Sequence, residues 1–522
     1  MKPNRTPQGV AASDGGNPPA WTVRESVILA LVALAVLALT SIAQPFFPSP
    51  WLDEGLNWGA VRSFVLSGRY GLDSADGFRY FATAIQTGPT VILPAALAFW
   101  LLGPEPASAR LIVALYGVLA VVAAYRVVRR VLGSPGLALA GVGLLLLGTA
   151  EAAASFLPAA RQFLGEVAAL AWYLVGLDIW LTDSAERPSR ARSQRALWLA
   201  GLFFGLAGLT KSQMALVFGP SWCVLWAVAW WRDRATQPAR FLVPLAIYLG
   251  VTSAWGGVQY LALGPERFSA NASLLFESAL IHVLTFDPDH WWAASGVLWR
   301  SGYLAWGLPT LVWLALRARQ PGEVGRLALA ALALPLTSLI WFGLFSFGWG
   351  RYAFYPVSLT LIFLAAPLAD LWRATAVLGP RLLSRGAVLG VVGYLVATGF
   401  VPFANGLLRA QDDGFQAMRR YLKDHLAPDD VVATWEWQLA IDSTPRYLFP
   451  TQETLNGVTI YIQDLGVQPP PGKFEPTVAT QRFVLVGPFG AWTGLYELWV
   501  EDRQPQVRFG SYALYDLADV TP

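Results

Sequence analysis

Two adjacent carboxylates, Asp53 and Glu54, occur in SPWLDEGLNWGAVRSFVLSGR (residues 49–69), just after a long apolar run and with tryptophans on both sides. A carboxylate at such a place can take a proton from a hydroxyl group. ARQFLGE (160–166) sets Arg161 and Glu166 five residues apart, so they are not an i,i+4 helix pair. Glu166 is already inside an apolar run, where an ionisable group is costly and points to function. Lys211 is the one charge in the apolar region 196–231. A lysine that snorkels from a helix end would also explain it. Arg351, between FGWG and YAFY, reads either as an aromatic-anchored arginine at the membrane edge or as a further functional cation. Together, the acids Asp53, Glu54 and Glu166 and the bases Arg161, Lys211 and Arg351 suit a phosphate held by cations beside a proton-accepting carboxylate.

The elements that carry these residues are membrane helices. The chain is 55% hydrophobic and only 14% charged, with a mean hydropathy of +0.46. Soluble domains carry about 25% charged residues. The 24 tryptophans fit a chain with many membrane–water interfaces. A formal charge of +3 gives no footprint for nucleic acid, and the single cysteine, Cys223, excludes a disulfide framework or thiolate metal cluster. Candidate spans are 27–47, 109–128, 136–155, 163–181, 196–212, 214–231, 241–262, 296–316, 327–347, 352–372 and 386–404. Arginine clusters (126/129/130, 187/190/192/195, 232/234/240, 317/319/326 and 373/381/385) then fall on every second loop, as the positive-inside bias requires. The expectation is a mainly α polytopic membrane protein of about eleven transmembrane helices, N-terminus in and C-terminus out.

Residues 88–102 are apolar but short for a crossing, carry Pro89 and Pro94, and would invert every later loop if counted. They read as an interfacial or re-entrant helix in a first external loop, 48–108. Residues 1–24 read as a disordered cytoplasmic tail, 25–406 as the transmembrane domain, and 263–295 as a second external loop. From 407 to 522 charge returns. A helix at 415–426 precedes β-rich runs at 431–435, 483–487 and 495–501, so a small external α/β domain is expected. His282 and His290 share a loop with Asp287 and Asp289 but lack a fixed metal-ligand spacing, so no metal site is assigned. Asn271-Ala272-Ser273 is a formal glycosylation sequon. Nucleophile-elbow, P-loop and dinucleotide motifs are not evident.

WLDEGLNWGAVRSFVLSGRY (51–70), TGPTVILPAALAFWLLG (87–103) with Ala109-Arg110-Leu111, ARQFLGE (160–166) and GLTK (208–211) occur in an order and spacing that resemble GT-C fold glycosyltransferases of the protein O-mannosyltransferase and lipid A aminoarabinose transferase type. The resemblance covers about the first 400 residues. It implies a polyprenyl-phosphate-linked sugar as donor and a protein, lipid or glycan acceptor. It also implies a multi-pass plasma (inner) membrane location with the site facing the periplasm or cell exterior. It assigns Asp53 as general base, with Glu54 and Glu166 beside it, and Lys211, Arg161 and Arg351 to the donor phosphate. With cations stabilising the leaving phosphate, no cofactor or essential metal is expected, and nucleic acid is not a partner. Thr87-Gly88 stand where the aminoarabinose transferases carry a Lys before the motif's Pro, so the resemblance leaves the sugar open. A transporter or flippase of a lipid-linked substrate is the alternative; it would spread ionisable residues through the bilayer depth.

Overall fold

The computed structural model describes residues 22–185, 190–234, 237–374, 381–442, 444–465, 470, 473 and 481–518. The expected tail (apart from residues 22–24) and Arg187 lie outside them. The chain opens with α1 (Val23–Ser41), started by a capping box in which Thr22 and Glu25 bond each other's backbone. The first loop holds α2 (Leu52–Ser67), a hairpin of β1 (Gly71–Ser74) and β2 (Gly77–Tyr80), and α3 (Pro89–Leu102). α4 (Pro106–Leu132), α5 (Pro135–Leu147), the one-turn α6 (Phe156–Ala159), α7 (Glu166–Ala185), α8 (Arg190–Thr210) and α9 (Ser212–Arg232) follow. α10 (Ala239–His282), α11 (Pro288–Arg300), α12 (Tyr303–Ala318), α13 (Gly322–Phe345), α14 (Phe354–Ala374), α15 (Arg381–Leu395) and α16 (Val401–Leu408) complete the helical part.

Among the described residues, seven helices are long and apolar enough to cross a membrane, and α3 and α5 are shorter apolar helices. The chain is therefore a multi-pass integral membrane protein. α7 packs against α4 and α8, α8 against α10, α14 against α5, and α12 against α13.

Three boundaries differ from the sequence reading. The run 241–262 continues as helix to His282, so much of the expected 263–295 loop is helical. Gly264, at φ 74°, breaks α10 into two segments, and Pro265 starts the second. The apolar run 296–316 is divided by Gly302, at φ 69°, between α11 and α12. The run 136–155 yields a helix only to Leu147. Thr149–Ser155 then turn back on themselves, with the Ser155 hydroxyl taking the Thr149 N–H at 2.9 Å.

The C-terminal part contains α17 (Phe415–His425), β3 (Val431–Thr434), β4 (Arg446–Leu448), α18 (Gln452–Leu465), β5 (Phe483–Val486), α19 (Pro488–Thr493), α20 (Glu497–Val500), β6 (Val507–Phe509) and β7 (Tyr512–Asp516). Its sheet runs β4-β3-β5-β7-β6, parallel across β4, β3 and β5 and antiparallel across β5, β7 and β6. The run 495–501, expected as strand, is instead the helical turn α20. β7 occupies the place beside β5, and the Trp499 N–H bonds back to the Tyr496 carbonyl at 3.1 Å.

The C-terminal sheet and the first loop are knit together. Gly55 of α2 lies against the backbone of Trp437 and Gln438, where a methyl group would overlap it. Arg79 donates to the Pro450 carbonyl at 2.6 Å and the Phe449 carbonyl at 2.7 Å, and Arg62 donates to the Asp442 carbonyl. α2 is consequently buried on every side from Leu52 to Ser63.

Candidate functional site

A cavity of about 1600 Å³ lies between the helical part and the C-terminal sheet. Its floor is a ring of helix termini: the C-ends of α5 and α8 with their following turns, and the N-ends of α7, α9 and the turn that leads into α14. Polar side chains are easier to place at helix ends than within them, because the terminal N–H and C=O groups are already free to pair.

Asp53 opens α2 and lines this cavity. Its Oδ2 is ion-paired to Arg351 Nη1, and its Oδ1 accepts from Gln86 Nε2 at 2.9 Å. Arg351 Nη2 donates to Gln86 Oε1 at 2.9 Å, closing a triangle of acid, amide and guanidinium. The Arg351 guanidinium also sits 5.3–5.6 Å from the ring centres of Trp349, Tyr352 and Trp51. These rings hold the cation in place while leaving its charge available.

Lys211 is the extended residue between α8 and α9. Its Nζ lies 3.0 Å from Glu166 Oε1 at the first residue of α7, and both side chains are nearly fully buried. Close backbone approach makes the pair possible. A methyl group on Gly165 would meet the Thr210 carbonyl and the Lys211 stem, and one on Gly88 would overlap the Leu209 carbonyl. The Gly88 N–H donates to the Thr210 carbonyl at 2.9 Å, and the Thr90 and Thr210 hydroxyls lie 2.5 Å apart. Thus Gly88 of the first-loop motif brings α3 against the end of α8, and Gly165 of ARQFLGE brings the start of α7 to the same place.

The structure brings Asp53, Glu166, Lys211 and Arg351 to one cavity and places two expected residues elsewhere. Glu54 does not line it. Its carboxylate takes Arg110 Nε at 2.8 Å and Nη2 at 2.6 Å, with both side chains fully buried, and also the Phe163 N–H at 2.6 Å. Arg161 turns away from the cavity. It donates to the carbonyls of Phe47 at 2.7 and 2.9 Å, Ile42 at 2.5 Å and Leu39. Both residues hold the ARQFLGE turn in place: Glu54 fixes it to α2, and Arg161 fixes it to the end of α1. The reason is geometric, since Asp53 and Glu54 are neighbours on a helix and point about 100° apart.

Gln86 is a site residue that sequence reasoning missed; a neutral amide beside the TGP motif carries no charge signal. The cavity's far wall was also missed, and comes from the C-terminal sheet. There Glu436, fully buried, accepts from the Gly490 N–H at 2.7 Å, the Phe489 N–H at 3.0 Å and Gln438 Nε2 at 2.6 Å. Burial raises its carboxyl above the usual range, against the lowering effect of those hydrogen bonds. Asn271 of the sequon is on α10 and donates to the Tyr80 carbonyl at 3.1 Å. No group of three or more His, Cys, Asp or Glu that could hold a metal occurs among the described residues.

Against known proteins, the fold is that of the GT-C membrane glycosyltransferases. ArnT from Cupriavidus metallidurans bound to undecaprenyl phosphate matches with a TM-score of 0.63 at 16% identity, over 95% of this chain and 98% of that one. Its apo form gives 0.62 at 17%, over 94% and 97%. The archaeal oligosaccharyltransferase AglB from Archaeoglobus fulgidus, in complex with an inhibitory peptide and a dolichol-phosphate, gives 0.54 at 12%, over 89% and 69%. Within that fold, residues 94–255 match the family model of dolichyl-phosphate-mannose-protein mannosyltransferase. No curated protein sequence matches the chain.

Proposed function

We propose that the protein is an inverting glycosyltransferase that moves a sugar from a polyprenyl-phosphate carrier to an acceptor hydroxyl. One observation carries the reading: a carboxylate, Asp53, and two cations, Lys211 and Arg351, line one cavity among helix ends. The family segment at 94–255 and the undecaprenyl phosphate held by ArnT of the same fold support a lipid-phosphate donor.

The acceptor oxygen attacks the anomeric carbon from the face opposite the phosphate. The new C–O bond forms as the bond to the phosphate oxygen breaks, and the electron pair leaves on the polyprenyl phosphate. Asp53 takes the hydroxyl proton. Lys211 and Arg351 stabilise the charge gathering on the leaving phosphate, so the transfer does not require a metal.

Each cation is paired with an acid, Lys211 with Glu166 and Arg351 with Asp53. A donor phosphate that takes Arg351 frees Asp53 to act as base, so donor binding readies the site. Eleven spans, with the cavity on the outer face of the plasma membrane, agree with the arginines Arg129, Arg130, Arg232, Arg317 and Arg373 at the opposite helix ends.

Asp53→Asn is expected to lower transfer of label from radiolabelled polyprenyl-phosphate sugars in membranes by about 10²–10⁴-fold, the range of general-base catalysis. Near-normal transfer would remove Asp53 from that role. Lys211→Ala should weaken undecaprenyl phosphate binding by roughly 10–100-fold, the range for a lost hydrogen bond to a charged group.

A further inference from the structure

The cavity's far wall holds polar groups that the proposed chemistry does not use. Trp435 and Gln438 are 1% exposed and Asn456 is 2% exposed, and all three line the cavity. Trp435 Nε1, Gln438 Oε1, Asn456 Nδ2 and Gln452 Oε1 have no partner. Buried polar groups are normally paired, and each one left unpaired is costly. Such atoms on one cavity wall describe a site that awaits a ligand.

Their chemistry is defined by what their other atoms do. Gln438 Nε2 is engaged by Glu436 at 2.6 Å and the Tyr512 hydroxyl at 3.0 Å, which leaves its carbonyl as acceptor. Asn456 Oδ1 takes Gln452 Nε2 at 2.9 Å, which leaves the Asn456 amide N–H groups as donors and the Gln452 carbonyl as acceptor. The wall therefore offers donors and acceptors together. Hydroxyl groups, which both donate and accept, satisfy such a set.

Phe489 and Trp492, 5.3 Å apart between ring centres, add an aromatic face, and Trp492 is half exposed. Among the described residues, the C-terminal part contributes no Lys, Arg or His to the cavity lining, and its one charge there is the Glu436 carboxylate. A phosphate or carboxylate would meet no countercharge. The wall is also near the reacting centre, because the Gln438 backbone lies on Gly55, next in α2 after the Asp53-Glu54 pair.

We infer that this wall is the acceptor site and that the acceptor is a neutral, hydroxyl-rich carbohydrate rather than a phosphorylated lipid. The inference rests on the transferase reading. An acceptor hydroxyl would lose its proton to Asp53 as its oxygen bonds the donor's anomeric carbon, while the sugar's remaining hydroxyls engage Trp435, Gln438 and Asn456.

Saturation-transfer NMR on the full chain in nanodiscs tests it, with neutral disaccharides (mannobiose, galactobiose and arabinobiose) against a threonine-containing peptide and glucose 1-phosphate. At least one disaccharide should bind, and its Kd should rise about tenfold in Asn456→Leu and in Trp492→Ala, while undecaprenyl phosphate binds as in the wild type. Trp492 is at the rim, so its variant reports even where Asn456→Leu fails to fold. Binding of only the peptide or the sugar phosphate would overturn the inference, as would disaccharide binding unchanged in Trp492→Ala. Undecaprenyl phosphate binding that ignores Lys211→Ala would instead sink the donor reading, which keeps the two failures apart.

Discussion

Asp53 and Glu54 are chemically near-identical neighbours, and their surroundings divide them. Asp53 borders the cavity with a cation and an amide at its oxygens; Glu54 is enclosed with Arg110 and a backbone N–H. Breaking a buried pair leaves an uncompensated charge and costs about 3–5 kcal/mol. Glu54→Gln should therefore lower the thermal midpoint and the yield of folded protein strongly. Asp53→Asn also breaks a buried pair, but Arg351 borders the cavity, where solvent can take up its charge, so the midpoint should fall less than in Glu54→Gln while activity collapses. Equal midpoints for the two variants would contradict this division. The convergence of Asp53, Glu166, Lys211 and Arg351 on one cavity was legible because charges within a nearly uncharged sequence stand out. The inward roles of Glu54 and Arg161 were not, since residue type and spacing do not give the direction a side chain takes. Gln86 was silent for a different reason: its part depends wholly on lying beside both Asp53 and Arg351.

The short elements decide how the long ones meet. α19 begins at Pro488, and its first N–H groups are taken by Glu436, which Gly487 admits to close range. Because burial holds the Glu436 carboxyl above its unfolded value, the folded state favours its proton. Its contribution to stability is full below the ordinary carboxylate range and falls as pH rises through the raised value. In Glu436→Gln the amide oxygen can still accept from Phe489 and Gly490, and that pH-dependent loss is absent. The midpoint of the variant minus that of the wild type should thus grow from pH 4 to pH 8 in thermal unfolding; a constant or shrinking difference would contradict it. At the other side of the cavity, Gly88→Ala drives a methyl group into the Leu209 carbonyl. Overpacking of this kind costs about 1–3 kcal/mol. It should displace α3 from α8 and reduce undecaprenyl phosphate binding, measured by native mass spectrometry, more than Gly103→Ala, which meets open space although its own backbone is strained. Hydropathy made the long helices legible. It could not reveal the turn at Gly302, because a single glycine does not interrupt an apolar average, nor that helix resumes after Gly264, where Glu266, Arg267 and Glu277 lower the hydropathy.

At the scale of the molecule, the cavity exists because two parts of the chain close on it, and the closure is carried by the first loop. Composition marks the change near residue 407, but pattern alone does not show that the sheet packs on α2 and the β1–β2 hairpin, some 370 residues earlier in the chain. Such long-range pairings depend on shape and on backbone carbonyls, which every residue has. Arg79 is the clearest tie. It spans from β2 to the Phe449 and Pro450 carbonyls, and the Ala75 N–H reaches the Tyr447 carbonyl at 2.7 Å beside it. Removing hydrogen bonds made by a charged group costs roughly 1.5–3 kcal/mol each, less where water can replace the lost partner. Arg79 is partly exposed, so the lower end applies. Arg79→Ala should loosen the sheet from the loop without unfolding the helices. Hydrogen exchange should then speed up in β4 and in the β1–β2 hairpin but not in α7 or α14. Acceptor transfer should fall while undecaprenyl phosphate binding holds, because Lys211 and Arg351 belong to the helical part. Exchange that accelerates throughout the helical part would show instead that loop and sheet are needed for the fold as a whole.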